Sequence, residues 1–414
     1  TKDEVMDPRP WCEIIRQWAT FNPEFAYLPR KFKIAVNAVP DADPALIGVH
    51  DIGVKVIHND AGETGFQVWA GGGLGRTPMT GQVIGEFVPW QHLLAYLEAI
   101  LRVYNKYGNR DNKYKARIKI LVQAVGADEF KRMVEEEWSH IRDSALKLPE
   151  EEVARIREYF APPEFETLAG PPPELATQLE DEEAFASWHR QNVAIHRQLG
   201  FSVVNISLKP EGGIPGDATA DQMDAVADLA DQFSFGEIRV THEQNLVLAH
   251  VRQRDLFSLW VGLVETGLSA ANLSLVTDVV CCPGLDYCGL ATARSIPVAQ
   301  HISKRFAELQ RARDIGELRL NISGCINACG HHHAGNIGIL GVDKKNQEFY
   351  QITLGGHGEY DASIGDVIGP AVPSSEVVDA VERIAELNPE LTGTCHALLD
   401  SCRPRRTTAV AWQR

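Results

Sequence analysis

The stretches CCPGLDYC (281–288) and SGCINACG (323–330) hold five of the chain's eight cysteines. With Cys282 as the first ligand, Cys282, Cys288, Cys325 and Cys329 form a C-x5-C and a C-x3-C motif separated by 36 residues. Four thiolates on two short loops suit a cubane 4Fe-4S cluster, which is held by four cysteines. The glycines beside them let backbone approach a cluster and offer amide donors to its sulfurs. Cys281 competes with Cys282 as a ligand, but the C-x5-C interval favours Cys282. The rival chemistry is structural zinc, whose loops space their ligands by about two to four residues. Cys325 or Cys329 with one of His331, His332 and His333 keeps that alternative open.

A cofactor of this kind needs a substantial scaffold. The chain has 414 residues, 44% hydrophobic and 23% charged, enough for two or three domains with their own cores. A net charge of −16 argues against a general partner of nucleic acid or of anionic membranes. An anionic substrate would have to enter a local basic pocket against that field. No run of apolar residues is long enough for a transmembrane helix. Thiols crowded between 281 and 329 are unlike a secreted disulfide framework and predict a cytoplasmic metal protein. The opening TKDEVMDPRPW has neither a start methionine nor a secretory signal, so the chain is expected to begin inside a longer protein.

Periodicity supplies the positioning elements. LPRKFKIAV (28–36) alternates as a strand does, which would put Lys31 and Lys33 on one face. IGVHDIGVKVI and GFQVWAGGGLG continue as strand and turn. WQHLLAYLEAILRVYNKYG places Leu93, Leu97, Ile100, Leu101 and Tyr104 on one helical face, with Gly108 as a C-terminal cap. GADEFKRMVEEEWSHIRDSA predicts a further helix. Residues 149–183 turn rich in proline and acid and read as a linker, partly helical. Beyond it come a strand (FSVVNISL), a helix with a Thr219/Gln222 capping box, a hairpin turning at HEQN, and the helix of RDLFSLWVGLVETG. That β-α-β-β-α order is a ferredoxin-like half unit.

The chain also repeats itself. FQVWAGGG…VIGEFVPWQHLLAYLEAI and YQITLGGH…VIGPAVPSSEVVDAVERI align at a constant offset of 284, from Phe66/Tyr350 to Ile100/Ile384. Upstream, IGV at 52–54 meets IGI at 337–339 with one residue of slippage. Two copies of one domain are expected, and the cysteine cluster falls only in the second. The expected fold class is α+β: duplicated domains of mixed sheets with helices, plus the ferredoxin-like half. The expected division is 1–148 for the first copy, 149–190 for the linker, 191–268 for the half domain, 269–388 for the second copy and 389–414 for an unassigned tail.

CPGLDYCGLA with ISGCINACG resembles the siroheme-dependent sulfite and nitrite reductases, and LPRKFK, the duplication and the ferredoxin-like half extend the resemblance over most of residues 1–385. It implies a 4Fe-4S cluster held against siroheme, with Cys329 as the sulfur bridging the two. It implies six-electron reduction of sulfite to sulfide, with nitrite to ammonia as the alternative. A cluster coupled to an iron macrocycle stores and passes electrons while the protein supplies orientation and charge. The substrate loses its oxygens as water, so it needs cations and proton donors.

In that family the K-x-K pair lies over the siroheme, which gives Lys31 and Lys33 the substrate-binding and proton-supplying role. Siroheme is rich in carboxylates, and guanidinium pairing answers them. Arg30 is expected to meet one; Asn327, Arg110, Gln244 and Asn245 complete the cofactor-binding candidates. The GGG run at 71–73 either lets backbone pass the macrocycle or makes a tight turn. The three histidines are then not ligands, although one is placed to donate a hydrogen bond near the cofactor.

The match fails at the ends. The family begins with another ferredoxin-like half, and this chain has one, so by itself it is expected to be incompletely active. Cys395 and Cys402 in the tail are not counted as ligands. No G-x-G-x-x-G follows a strand, so a flavoprotein subunit or a ferredoxin is expected to deliver the electrons. The competing class is a non-catalytic iron–sulfur or zinc module.

Overall fold

The computed structural model describes residues 2–386; the tail with Cys395 and Cys402 lies outside them. The described residues fall into two compact units, one of Lys2–Phe165 with Gly358–Ser363, the other of Glu166–His357 with the described residues from Ile364 onward.

The first unit is built on a four-stranded sheet, β1 (Ile34–Asn37), β2 (Ile52–His58), β3 (Thr64–Ala70) and β4 (Gln82–Pro89), in that order. β1 and β2 run parallel, and the remaining pairs are antiparallel. Helix Leu93–Tyr107 buries Leu93, Leu97, Ile100, Leu101 and Tyr104, the face that the 3.6-residue spacing predicts. Burying each such side chain stabilises the fold by about 1.5–3 kcal/mol. The helix also buries Tyr96 and Ala99, because helix Ala127–Ile141 packs on its other side, with Trp138 edge-on to Tyr96 at 5.3 Å. Gly108 caps the helix through its N–H on the Tyr104 carbonyl, at φ −63° and so without a left-handed turn.

One strand is shorter than its alternation suggests. β1 begins at Ile34, not at Leu28, so Lys31 lies upstream of the ladder. Pro29 has no N–H to donate, and the Lys33 N–H goes to the buried Asp51 carboxylate (3.0 Å) instead of a strand partner. Only the Lys33 carbonyl joins the sheet, accepting the Ile52 N–H.

Residues 149–192 hold three helices, Glu150–Glu158, Pro173–Asp181 and Glu183–Asn192, the last running two residues past the expected linker. Val153 and Ile156 pack into the core of the first unit, whereas Leu175, Phe185 and Trp188 pack into that of the ferredoxin-like half.

That half is a four-stranded antiparallel sheet of β5 (Val193–Ile195), β6 (Phe201–Ile206), β7 (Ile238–Val240) and β8 (Leu246–Arg252), in the order β5-β6-β8-β7. Helices Ala220–Phe233 and Leu256–Glu265 belong to it. The first opens on the expected capping box, Thr219 and Gln222 each satisfying the other's backbone N–H.

The last sheet repeats the first. β9 (Val280–Cys281), β10 (Leu320–Ser323) and β11 (Ile337–Asp343) run parallel, and β12 (Glu348–Leu354) returns antiparallel to β11. β13 (Asp366–Val367) and β14 (Val372–Pro373) both pair with β12. The duplication holds to the level of register. Phe66 faces Val88 and Ala70 faces Gln82 in the first copy; Tyr350 faces Val372 and Leu354 faces Asp366 in the second. Two differences matter. The continuous β4 is split into β13 and β14 where Pro370 stands in place of Glu86, since proline cannot donate to the ladder. The second copy also gains β9 as a parallel edge strand, which leads directly to Cys282.

Asp43 is fully buried in the first unit, where its carboxylate accepts the Ile47 N–H (2.6 Å) and the Asn37 amide (3.1 Å). Its own N–H donates to Glu359 (2.7 Å). Burial, with the Glu359 charge adding to it, pushes the Asp43 carboxyl up to about 6. The folded chain therefore keeps a proton that the unfolded chain has already lost, and stability falls as pH rises from about 4 to about 6. Each pKa unit corresponds to about 1.4 kcal/mol, so the full loss is about 3 kcal/mol. Asp43→Asn should flatten this part of a melting-temperature profile against pH.

Candidate functional site

The cysteine loops start from adjacent parallel strands. Cys281 on β9 is in register with Ile322 on β10, and the Cys282 N–H donates to the Ile322 carbonyl (3.1 Å). Both strands then end, β9 into Cys282 and β10 into Gly324 and Cys325, so the first and third motif cysteines emerge side by side. The Gly324 N–H donates to the Cys282 sulfur at 3.1 Å. The Ser295 hydroxyl lies 3.4 Å from the same sulfur.

Each loop is closed by its own backbone. In the first, the short helix Gly284–Tyr287 is capped by Cys288, whose N–H returns to the Gly284 carbonyl (2.9 Å). In the second, the Ala328 N–H bonds the Cys325 carbonyl (3.2 Å), and the chain passes Cys329 between two left-handed residues, Ala328 and His331. The Gly330 N–H on the Ser323 hydroxyl ties this turn back to β10. The two loops are stitched together at Gly324, whose carbonyl accepts the Thr292 and Ala293 N–H groups and the Thr292 hydroxyl, at 2.9, 3.0 and 3.1 Å. Glycine is required there: a Cβ would lie 2.8 Å from the Gly284 Cα and 2.6 Å from the Ala293 carbonyl.

The cysteines divide by environment. Cys325 is buried, Cys282 and Cys288 are half-buried and Cys329 is exposed. Cys281 packs into the core, where burial pushes its thiol far up, and its Sγ–H turns to the Cys282 carbonyl. A thiol so held is a structural group, and Cys282 is the one whose sulfur accepts the Gly324 amide. Among the described residues no three Cys, His, Asp or Glu side chains gather around a point as one metal ion requires. A cubane instead spreads four thiolates over four irons. Two loops rising from neighbouring strand ends, a glycine-lined junction and an amide already aimed at one sulfur fit that group.

The histidines follow at once. His332 is completely buried with neither ring nitrogen hydrogen-bonded, its ring 3.9 Å from that of His333. Burial, and then its histidine neighbours, push it down to about 3, so it is neutral.

The other candidates are scattered by comparison. Asn327 is exposed between the last two cysteines. Gln244, in the turn between β7 and β8, spends its side-chain amide on the backbone of Cys281. Asn245 is buried; its oxygen accepts the Leu208 N–H (3.1 Å) and its amide donates to Asp278 (3.3 Å), which also forms a buried ion pair with Lys209. Both side chains therefore hold protein.

In the first unit, Lys31 and Arg30 are exposed and Lys33 is half-buried, while Phe32 between the lysines packs against Tyr104. Arg110 binds the carbonyls of Tyr27 (2.5 Å) and Asn105 (3.1 Å). The glycine loop after β3 is anchored from within: the Lys119 ammonium donates to the carbonyls of Gly73, Leu74 and Thr77. Burial and neighbouring Arg117 push Lys119 down to about 8. Arg117 pairs with Asp51 at 2.7 Å. The Asp51–Arg117–Lys119 group carries little local signal: in KARIK, Arg117 and Lys119 stand two residues apart, and their acidic partner is remote in the chain.

The description "nitrite and sulphite reductase 4Fe-4S domain" matches residues 1–142 and 273–388, and "nitrite/sulfite reductase ferredoxin-like half domain" matches 202–265. The chain belongs to the nitrite and sulfite reductase family. Its cofactors are those of the family, a 4Fe-4S cluster and siroheme.

Among its relatives, a protein of Mycolicibacterium paratuberculosis named sulfite reductase (ferredoxin) 2 is 30% identical over 92% of this chain. A ferredoxin–nitrite reductase of Synechococcus elongatus is 29% identical over 92% of the chain and 68% of its own length. The solved structure of the NirA protein of Mycobacterium tuberculosis superposes with a TM-score of 0.73 at 26% identity, covering 97% of this chain and 68% of that one. The chain spans 63% of the length of the mycobacterial sulfite reductase.

The glycine at the loop junction gives a direct test. Gly324→Ala should strip iron and labile sulfide from the protein, because the loops cannot close around a Cβ. Gly289, one residue past Cys288, has open space around it, and Gly289→Ala should retain both. Iron and sulfide analysis per folded chain distinguishes the two.

Proposed function

We propose that this chain is the catalytic part of a reductase that takes sulfite to sulfide with six electrons. The observation that carries the reading is the pairing of β9 with β10, which brings Cys282 and Cys325 out together with the Gly324 N–H on the Cys282 sulfur. In this reading Cys282, Cys288, Cys325 and Cys329 hold the cluster, and Cys329 is shared with siroheme. Its exposure, beside three more enclosed thiols, supports that assignment. When bound, the cluster and siroheme would supply electrons one at a time.

The chain's own residues bind and protonate. Sulfite takes up six protons with its six electrons as its three oxygens leave as water. Lys31 and Lys33 hold the oxyanion and donate protons, and Arg30 meets a siroheme carboxylate. In a chain of net charge −16, the basic run RKFK is a local exception that suits an anionic substrate. Ferredoxin is the proposed donor, as the names of the mycobacterial and cyanobacterial relatives suggest; a flavoprotein subunit is the alternative. No helix among the described residues is long and apolar enough to cross a membrane, and we place the reaction in the cytoplasm. Nitrite reduction to ammonia is the second reading, favoured by the near-equal identity to the cyanobacterial enzyme.

Steady-state turnover of sulfite and nitrite by the full-length protein, with a reduced viologen as donor, separates the two substrates. In the same assay Lys31→Met and Lys33→Met should keep their cofactors and lose activity, since one positioned proton donor is worth about 10²–10⁴ in rate. Parent rates in both variants would remove the lysines from the mechanism.

The shared ligand is tested by spectroscopy. Cys329→Ser should disturb the siroheme absorption and the magnetic signature of the cluster together. Cys282→Ser should spare part of the siroheme spectrum. An unchanged siroheme spectrum in Cys329→Ser, with the cluster alone lost, would place the bridge elsewhere.

A further inference from the structure

β9 is the shorter of the two strands that lead into the cysteine loops. It is two residues long and lies at the edge of its sheet, with β10 as its strand partner on one side. An edge strand leaves backbone donors and acceptors unmatched on its open side. Here one of each is matched by a side chain. The Gln244 amide donates through Nε2 to the Cys281 carbonyl (2.8 Å) and accepts the Cys281 N–H through Oε1 (2.9 Å). A primary amide carries the same donor and acceptor as a peptide unit, so Gln244 stands in for the missing neighbour strand.

The turn that presents Gln244 is held independently. Gln244 has a left-handed backbone, φ +62°, which a residue with a side chain adopts uncommonly. The Asn245 N–H bonds the Thr241 hydroxyl (3.1 Å), and the Asn245 side chain joins the buried Lys209–Asp278 pair. Gly216 lies so close that a Cβ on it would come within 2.8 Å of the Gln244 Cβ. Backbone strain kept at a turn, with the surroundings built to hold it, accompanies functional positions.

We propose that Gln244 is a positioning residue for the iron–sulfur cluster: it clamps β9 from its open edge and so fixes the backbone from which Cys282 reaches its iron. The inference rests on the reading of Cys282 as a cluster ligand. It moves Gln244 from a cofactor-contacting role to one exerted through Cys281.

Two substitutions separate this role from ordinary fold stability. Gln244→Gly relieves the left-handed backbone, because glycine populates that region freely, and removes the clamp. The melting temperature should be equal to or above the parent's while iron is lost faster. Gln244→Glu keeps the shape and the acceptor side but cannot donate to the Cys281 carbonyl at neutral pH. Both should release iron to a chelator about 10-fold to 100-fold faster than the parent, the range typical of lost outer-shell partners. The reduced cluster's magnetic signal should broaden or shift in both, with far-ultraviolet circular dichroism unchanged.

Should one variant fail to fold, the other decides. Release within twofold of the parent in a folded variant, with the magnetic signal unchanged, overturns the proposal. A parent without labile sulfide would instead overturn the cluster reading itself, so the two failures are distinguishable.

Discussion

Two short strands lying parallel, β9 on β10, set the geometry on which the rest of the site depends. The cysteine motifs are far apart in the chain, and only this pairing makes Cys282 and Cys325 neighbours. In parallel strands both carboxyl ends point the same way, so both loops leave the sheet on one side. The close approach that follows is possible because Gly284 and Gly324 meet without side chains between them. The Gly324 amide on the Cys282 sulfur is a consequence of that contact, and amides aimed at cluster sulfurs are one means by which proteins tune such centres.

The duplication explains why this strand pair stands out. The two copies share strand register from β1 to β4 and from β10 to β14, and the same helix position follows. What differs is what each copy has gained. The second has β9 and its cysteines at one edge and Pro370 breaking the ladder at the other. The first keeps β4 whole, and its counterpart glycine loop is anchored by Lys119 and Arg117. One scaffold thus carries thiol chemistry in one copy and cationic groups in the other.

Much of the fold was legible because it is written locally. The capping box at Thr219, the hairpin at HEQN and the apolar face of Leu93–Tyr107 each arise from residues a few positions apart, where spacing determines which groups meet. The strand expected from Leu28 failed for a non-local reason: Asp51, which follows in another segment, takes the Lys33 N–H that a ladder would have used. Likewise Gln244 and Asn245 read as polar turn residues free to meet a cofactor. Folding commits their amides to Cys281, Leu208 and Asp278, partners with no local sequence signal.

The sequence by itself determined the cysteine motifs and their spacing, the duplication and the family, since residue type, motif spacing and repeat period are properties of the covalent chain. It also determined that an anionic substrate needs local cations, because net charge is a sum over residues. Tertiary structure alone decided which amides meet Cys281 and Cys282 and which carboxylate fixes a lysine's backbone. The physical reason is that these choices rest on single hydrogen bonds about 3 Å long between segments remote in the chain, where a shift of one residue in register would exchange every partner.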